Sequence, residues 1–278
     1  MSRFGFGHRT VKALVIKLIN SDARWIRWLT FAASILLGAA IWEFAGRNAN
    51  PVFMAPLIGD ADTPGAARSL IGFIGDGQFR DAFLSSIKLF ATGFLLALVI
   101  AVPLGIVLAR LVLLRVALES YILMLYVTPM VALIPFVLSI LGFGFWPKVL
   151  VVVLFAFFPI LYNTLEGARS VKHELLEVAG SFRASEWSIW RDILIPYTLP
   201  FALTGIRQAT GRALVGMIAA EFFLSTSGLG EVIMIASRTP DMANMLAAIL
   251  LIAGLGVILM RGAQALEQKY SAWRGVDG

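Results

Sequence analysis

Six long apolar runs restrict what this chain can fold into. A bilayer core of about 30 Å is crossed by about 20 helical residues. The runs cover Trp28–Phe44, Ala82–Ala109, Val116–Leu141, Val149–Leu165, Leu199–Phe223 and Met245–Met260. Only 14% of the residues are charged, against roughly 25% in a soluble domain. The sequence therefore predicts an all-α, polytopic membrane protein with about six transmembrane helices.

Lys and Arg are spread unevenly over the two sides of these spans. If the N-terminus is cytoplasmic, fifteen basic residues lie on the cytoplasmic side, five on the other side and three within the spans. Because cytoplasmic loops are enriched in Lys and Arg, we expect both termini inside. The net charge of +6 then reflects membrane topology, and no nucleic acid is expected as a partner.

The spans divide the chain into three parts. Residues 1–27 form a cytoplasmic N-terminal segment, in which Val11–Ile19 has the pattern of an interfacial amphipathic helix. Residues 28–265 form the transmembrane domain, with an external loop at 46–79 and a cytoplasmic loop at 166–200. A short helix is expected near Ala66–Ile74 in the external loop. Residues 266–278 form a cytoplasmic tail.

The sequence lacks the residues that several kinds of chemistry require. The chain has no cysteine and only two histidines, His8 and His173, which lie far apart in sequence. No phosphate-binding G-x-x-x-x-G-K-[ST] loop and no H-E-x-x-H motif occurs. We therefore expect no catalytic residue, no metal site and no directly bound cofactor, and a role other than that of an enzyme.

The cytoplasmic loop is patterned like folded structure. Glu174–Ala179 reads as a short helix, and Ser185 is a good N-cap for a second one that carries Trp187 and Trp190. Pro196 and Pro200 are expected to end the second helix. The residues alone fit two interpretations equally, a helical elbow that docks a partner and an amphipathic loop lying on lipid headgroups.

Two arginines and two prolines lie within the spans. Arg207 and Arg212 are five residues apart, or about 140° around a helix, and no Asp or Glu is expected at a matching depth. Arg212 is the stronger candidate for a transport pathway, because a mid-membrane charge is usually functional, whereas Arg207 can snorkel to the surface. Pro129 and Pro135 are expected to break the third span, and they are candidates either for lining the same pathway or for shaping helix packing alone.

One segment of the cytoplasmic loop resembles a known motif. The stretch from Glu177 to Ser185, followed by Ile195-Pro196, is similar to the EAA loop of ABC importer permeases, E-A-A-x-x-x-G-A-S and then L-P about ten residues later. The matching positions are Glu177, Ala179, Ala184, Ser185 and Pro196. Arg183 stands where the motif has glycine, so it must take a negative φ or bear strain.

The resemblance extends over roughly residues 80–265. Within this range the sequence resembles permeases of the nitrate, sulfonate and taurine type. The residues that carry the resemblance are Ser86, Pro103-Leu104-Gly105, Pro129–Pro135, Lys148, Phe158-Pro159, Gly205-Ile206-Arg207, Glu221 and Gly228-Leu229-Gly230. The resemblance implies the type I ABC importer permease fold in a bacterial inner membrane.

In such importers two permease subunits work with two ATPase subunits and a periplasmic solute-binding protein. The resemblance therefore implies a second copy of this chain as a homodimer partner, contact with membrane lipid, and ATP used only by the partner ATPase. It implies that Glu177 lies in the coupling loop, with Ala179 and Gly180 at the tip that touches the ATPase. Specificity is carried mainly by the binding protein.

Small anions such as nitrate, sulfonates or taurine are the first expectation for the solute. Similar permeases serve thiamine-precursor pyrimidines, riboflavin and aromatic carboxylates, so a neutral or aromatic solute is the alternative. Two other functions stay open. An ATPase-independent secondary transporter or channel would need its own coupling-ion site, and a structural membrane protein would not need the elbow or Arg212.

Overall fold

A computed structural model describes residues 24–51, 53–60, 63–224 and 227–271. The predicted interfacial helix at Val11–Ile19 lies outside the described residues. The described part is built from helices. They are α1 Arg24–Asn48, α2 Ala66–Gly75, α3 Gly77–Arg110, α4 Val112–Val127, α5 Ile134–Leu141, α6 Phe145–Arg169, α7 His173–Ser181, α8 Glu186–Ser188, α9 Ile195–Leu224, α10 Leu229–Arg238 and α11 Met242–Ser271. A 3₁₀ turn, Met130–Leu133, precedes α5, and a π-helical segment, Ile189–Leu194, joins α8 to α9.

Each of the six apolar runs falls on helical structure, but the count of six spans is not confirmed. Four helices, α1, α3, α6 and α11, are long and apolar enough to cross a bilayer, and α4 with α5 makes a fifth if the bent pair is one span. Helix α9 is 30 residues long but does not meet the same criterion of apolarity. It carries Arg207, Arg212 and Glu221.

The third span is broken at Pro129, as the sequence predicts. Helix α4 ends at Val127, and the axis turns by 95° before the segment Met130–Leu141. Pro129 supplies no backbone N–H and disfavours the helical conformation of Thr128 before it, whose φ and ψ of −60° and 133° are extended. The expectation for Pro135 was wrong, because it lies in the first turn of α5, where a missing N–H costs nothing.

Helix α6 lies at the centre of the fold, between α3 and α9. Five alanines at these contacts have no exposed surface: Ala97, Ala101, Ala156, Ala209 and Ala213. Small side chains let helix backbones approach closely, which is how helices associate in a bilayer, where burial of apolar surface drives packing only weakly. The outward surfaces remain strongly apolar, and only 6% of the apolar window of α1 is buried.

The bundle has two distinct ends. Helices α3 and α6 end, and α9 begins, at what we call the elbow end, which carries α7, α8 and the π-helical segment. Helices α3, α6 and α11 begin at the far end, which carries α2 and α10. Helix α2 is the short helix predicted near Ala66–Ile74. The predicted tail boundary at residue 266 falls within α11, which continues to Ser271.

Candidate transport cleft and docking elbow

The turn between α7 and α8 has a conformation that favours glycine, but the residue there is Arg183. Arg183 has a φ of 53°, the only positive φ of a non-glycine among the described residues. Its N–H donates to Gly180 O at 2.9 Å, and the N–H of Ala184 donates to Ala179 O at 2.9 Å. These two bonds form a Schellman motif with Arg183 at the left-handed position. The elbow therefore keeps the turn expected of glycine, at a conformational cost of about 1–2 kcal/mol.

Ala179 does not lie at the tip of the elbow, contrary to the sequence-based expectation. Its side chain is buried in a small apolar cluster with Ile189 and Leu194, against which Ala184 also packs. Ala179 is buried because it faces the helix that follows. Gly180 is exposed next to it. The cluster holds the two arms of the elbow together.

The exposed surface of the elbow is apolar. Phe182 is 83% exposed, Trp187 72% and Val178 54%. Glu177 lies beside them, with its Oε1 3.0 Å from His173 Nδ1 one turn away, and both side chains are mostly exposed. Large apolar side chains on a polar loop mark a surface that a partner or lipid covers.

The second arm of the elbow runs into α9 without a break. Ser185 caps it by accepting the N–H of Ser188 at 3.2 Å, and Arg110 Nη2 at the end of α3 lies 2.6 Å from Glu186 Oε2. The expectation that Pro196 and Pro200 end this helix was wrong. A π-helical turn precedes Pro196, and its wider spacing suits a position where one N–H is missing. The second arm of the elbow and α9 thus form one continuous helix, from Glu186 to Leu224, which we call the rod.

The break at Pro129 opens a cleft of about 460 Å³ between α4, α6 and α9. Arg212 of α9 lines this cleft together with Tyr126 and Pro129, and Phe155 and Phe158 contribute apolar walls. The Arg212 guanidinium lies 4.5 Å from the centre of the Tyr126 ring, a cation–π distance. Arg212 and Pro129, which are distant in sequence, are therefore brought to one cavity.

A row of polar side chains extends from this cleft toward the elbow end. Gln208 lies one helical turn before Arg212 on the exposed face of α9. Its Oε1 is 3.3 Å from Asn163 Nδ2 and 3.5 Å from the Tyr126 hydroxyl. The Tyr126 ring stacks on Tyr162 with centroids 5.2 Å apart. These contacts link polar side chains of α4, α6 and α9 next to the cleft.

Arg207 is paired, which corrects the expectation that no acidic partner would be found. Its Nε lies 2.7 Å from Glu267 Oε2, and Thr204 donates its hydroxyl to Glu267 Oε1 at 2.6 Å. Glu267 was assigned to the tail, but α11 continues past it. Arg207 does not line the Arg212 cleft and joins α9 to α11.

A buried polar joint at the far end was not predicted as a site. Ser86 of α3 donates its hydroxyl to Glu221 Oε1 of α9 at 2.6 Å and accepts the N–H of Leu229 at 2.8 Å. The N–H of Gly230 donates to Glu221 Oε2 at 2.8 Å. The buried Lys148 of α6 donates to Ser227 at 3.3 Å. This joint ties the first turn of α10 to three long helices.

Gly228 is required at the joint for two reasons. Its φ of 104° is rarely adopted by other residues, and a Cβ there would fall on the Glu221 carboxyl group. The sequence signal for this joint is a Ser, a Lys and a Glu placed inside apolar runs. Burying such groups is costly unless they bond to one another.

The arrangement of spans, elbow and cleft defines a helical membrane protein with an arginine-bearing cleft between its long helices. In the described residues, no group of three or more His, Cys, Asp or Glu side chains could hold a metal ion. Residues 101–272 match the family described as the binding-protein-dependent transport system inner membrane component. The chain belongs to this family, so it is a permease of the ABC transporter class.

Individual relatives agree with this assignment. A putative ABC transporter permease protein of Methanocaldococcus jannaschii is 33% identical over 86% of this chain and 89% of its own length. The putative aliphatic sulfonates transport permease protein of Bacillus subtilis is 32% identical, covering 66% of this chain and 67% of its own. Further relatives are named for transport of taurine, riboflavin and formylaminopyrimidine.

The fold is also found in a solved structure. A chain of the MetNI methionine ABC transporter, described as inward facing, aligns with a TM-score of 0.55 at 16% identity. The alignment covers 67% of this chain and 93% of that one. The fold is therefore that of an ABC importer permease.

Proposed function

We propose that this chain forms the translocation pathway of an ATP-driven importer for a small anionic solute of the sulfonate or taurine kind. The proposal rests above all on Arg212. Its guanidinium lines the cleft and contacts the Tyr126 ring and carbonyl oxygen, and no carboxylate in the described part of the chain forms an ion pair with it. A cation in an apolar cleft attracts an anion more strongly than it would in water.

The distribution of Lys and Arg supports a location of the elbow end and of both termini on the cytoplasmic side of the bacterial inner membrane. The far end then faces the periplasm, where a solute-binding protein delivers the solute. The cleft is open on one side of the bundle. This favours a second copy of the chain that faces it and supplies the other half of the pathway. The chain itself performs no chemistry, and ATP is hydrolysed by a partner subunit.

Uptake in proteoliposomes tests the role of Arg212. The chain is reconstituted with the ATPase and solute-binding protein of its source genome, and uptake of labelled taurine and of an alkanesulfonate is followed with and without ATP. Arg212→Ala should lower uptake at least about tenfold, which corresponds to 1.4 kcal/mol, and Arg212→Lys should retain part of it. Arg261→Ala, an exposed arginine on α11, is the matched control. Unchanged uptake by Arg212→Ala would sink the proposal, and uptake without ATP would favour a secondary transporter.

A neutral or aromatic solute is the second candidate, because of one observation. Tyr126 lines the same cleft and its ring stacks on that of Tyr162, and aromatic rings bind flat aromatic molecules well. A relative named for riboflavin transport fits this reading. In the uptake assay, riboflavin transport that is lost in Tyr126→Ala and kept in Arg212→Ala would favour this candidate over the anion.

The elbow is proposed as the docking site for the ATPase. Its exposed Phe182, Val178 and Trp187 offer an apolar contact on the cytoplasmic side, and Glu177 adds a carboxylate at the edge of it. Ser185, Pro196, the buried Ala179 and the half-buried Ala184 shape the elbow from within. Closure of two docked ATPases would then move the rod that contains α9 and carries Arg212, giving alternating access.

Co-purification tests the docking role of the elbow. Phe182→Ala should release most of the ATPase from the detergent-solubilised complex, because a large apolar anchor is lost. Glu177→Gln should weaken the complex less, since an exposed carboxylate contributes little. Phe143→Ala is a control, because Phe143 is a similarly exposed phenylalanine at the far end of the bundle. Full retention of the ATPase by Phe182→Ala would contradict docking through this surface.

A further inference from the structure

A second cavity lies between α9 and α11, on a different side of α9 from the transport cleft. It has a volume of about 430 Å³, and we call it the furrow. Two arginines and a glutamine form its polar part, and small or apolar residues form the rest: Arg207, Arg261, Gln264, Ala253, Gly256 and Val257. The furrow shares no lining residue with the cleft that contains Arg212, and no Asp or Glu lines it.

The apolar part of the furrow is open because its residues are small. A Cβ on Gly256 would come within 3.3 Å of the Leu214 side chain of α9, so glycine lets the two helices approach closely. Ala253 lies one turn earlier and is exposed. Val257 and Ile258 beside them are 60% and 70% exposed. Large exposed apolar side chains mark a surface that lipid or another apolar partner covers.

The polar part of the furrow lies near the edge of the membrane. Arg261 directly follows the apolar run that begins at Met245, so it lies about 24 Å along the helix from the start of that run. The hydrocarbon core of a bilayer is about 30 Å thick. The long arginine side chain therefore reaches the headgroup layer from a backbone position just inside the core. Lipid phosphates lie at this depth, next to the acyl chains that face the apolar part.

Arg261 brings one unbalanced positive charge to the furrow. The charge of Arg207 is balanced, since its Nε lies 2.7 Å from Glu267 Oε2, and the other Glu267 oxygen accepts the hydroxyl of Thr204. Arg261 is exposed and forms no ion pair or hydrogen bond within the described part of the chain. A cation near the hydrocarbon core is costly unless an anionic group or water meets it. The furrow therefore combines an unpaired cation with a strip of small apolar side chains.

We infer that the furrow is a binding site for a phospholipid with an anionic headgroup, of the phosphatidylglycerol kind. Arg261 and Gln264 bind the phosphate, and the strip of Ala253 and Gly256 accommodates an acyl chain. A headgroup with a net negative charge matches the single unbalanced cation, as in other basic pockets between membrane helices. A zwitterionic headgroup would instead bring its own positive group to Arg261.

The lipid site is separate from the proposed function and does not depend on it. A lipid in the furrow joins α9 to α11 beside the Arg207–Glu267 pair, on the side of α9 that is turned away from the cleft. The site is therefore assessed through lipid binding itself. Because the proposed solute path does not include this side of α9, Arg261→Ala remains a control for uptake.

The test measures lipid binding to the full-length chain, delipidated in detergent and titrated in native mass spectrometry. The probes are dioleoyl phosphatidylglycerol, dioleoyl phosphatidylcholine and free glycerol phosphate. Arg261→Gln removes the cation but keeps a polar side chain, and Ala253→Trp fills the apolar part of the furrow. Arg191→Gln is the matched control, because it removes an exposed arginine at the elbow end, outside the furrow.

Wild type and Arg191→Gln should bind the first phosphatidylglycerol about fivefold more tightly than phosphatidylcholine, which is the effect of one basic residue beside an anionic headgroup. Arg261→Gln should bind the two lipids within about twofold of each other, and Arg261→Lys should keep most of the preference. The lysine variant separates loss of charge from loss of fold. Ala253→Trp should weaken binding of both lipids, and free glycerol phosphate at millimolar concentration should not compete, because it has no acyl chain.

Three results would overturn the inference. Equal affinity of wild type for the two lipids, or an unchanged preference in Arg261→Gln, would show that Arg261 does not select the headgroup. Competition by free glycerol phosphate would make the furrow a site for a soluble anion. If Ala253→Trp changed the number of permease copies that purify together and left lipid binding unchanged, the furrow would be a contact between subunits.

Discussion

The buried joint at the far end gives a prediction whose size can be worked out from its hydrogen bonds. In Glu221→Ala, the Gly230 N–H and the Ser86 hydroxyl both lose their acceptor in a buried position. Each unsatisfied buried donor costs about 1–3 kcal/mol. The variant should therefore lose about 2–6 kcal/mol of folding free energy.

Glutamine at the same position should be milder. Its single oxygen can still accept the Gly230 N–H, and its amide can donate to the Ser86 oxygen, which leaves only the Ser86 hydroxyl proton without an acceptor. Glu221→Gln should cost about 1–3 kcal/mol. A change of 1 kcal/mol shifts an unfolding temperature by about 2–4 °C in chains of 150–250 residues, so Gln should lower it by several degrees and Ala by more.

The assay is the fraction of monodisperse protein left after heating in detergent, followed by size-exclusion chromatography. Glu174→Gln on α7 is the control, because Glu174 is exposed and exposed substitutions usually change stability by less than about 0.5 kcal/mol. Ser86→Ala combined with Glu221→Ala should cost less than the sum of the single variants, since they share one bond. A wild-type unfolding temperature for Glu221→Ala would refute the reasoning.

Two further predictions concern the elbow and the core. Arg183→Val should destabilise the elbow by about 1 kcal/mol or more relative to wild type, because β-branched residues rarely adopt a positive φ. Arg183→Gly should be neutral or slightly stabilising. If both variants retained the ATPase equally, the turn would not depend on the residue at this position. Glu267→Gln should lower the unfolding temperature, because it leaves Arg207 without its carboxylate partner. The double variant Arg207→Met/Glu267→Met should recover much of that loss. Equal unfolding temperatures of the single and the double variant would argue against the pairing.

The spans were predictable because apolarity is a local property of the sequence. The apolar runs that contain Ala97, Ala156 and Ala213 predict membrane-spanning helices without any information about which helices pack against them. The break at Pro129 was predictable for the same reason, since proline restricts its own residue and the one before it. Pro135 was misread because a proline breaks a helix only when it is not in the first turn.

The pairings could not be predicted in the same way. Glu267 lies 60 positions from Arg207, and its helix seemed to end where apolarity fell; the absence of Pro or Gly between residues 263 and 271 was the available signal that α11 continues. The burial of Ala179 depends on Ile189 and Leu194 folding back over it. Such contacts depend on tertiary packing, which hydropathy does not record.

The π-helical segment between the elbow and α9 sets the rotational register of the whole rod. A π turn holds one residue more than an α turn, so deleting one residue of Ile189–Leu194 would restore an α-helix and leave the register beyond it nearly unchanged. Converting the segment to α-helix with all its residues kept would instead rotate everything beyond it by about 100° relative to the elbow. Gln208 and Arg212 would then turn from the cleft toward a neighbouring helix while the elbow stayed in place. The wide turn thus determines which side chains of α9 face the cleft.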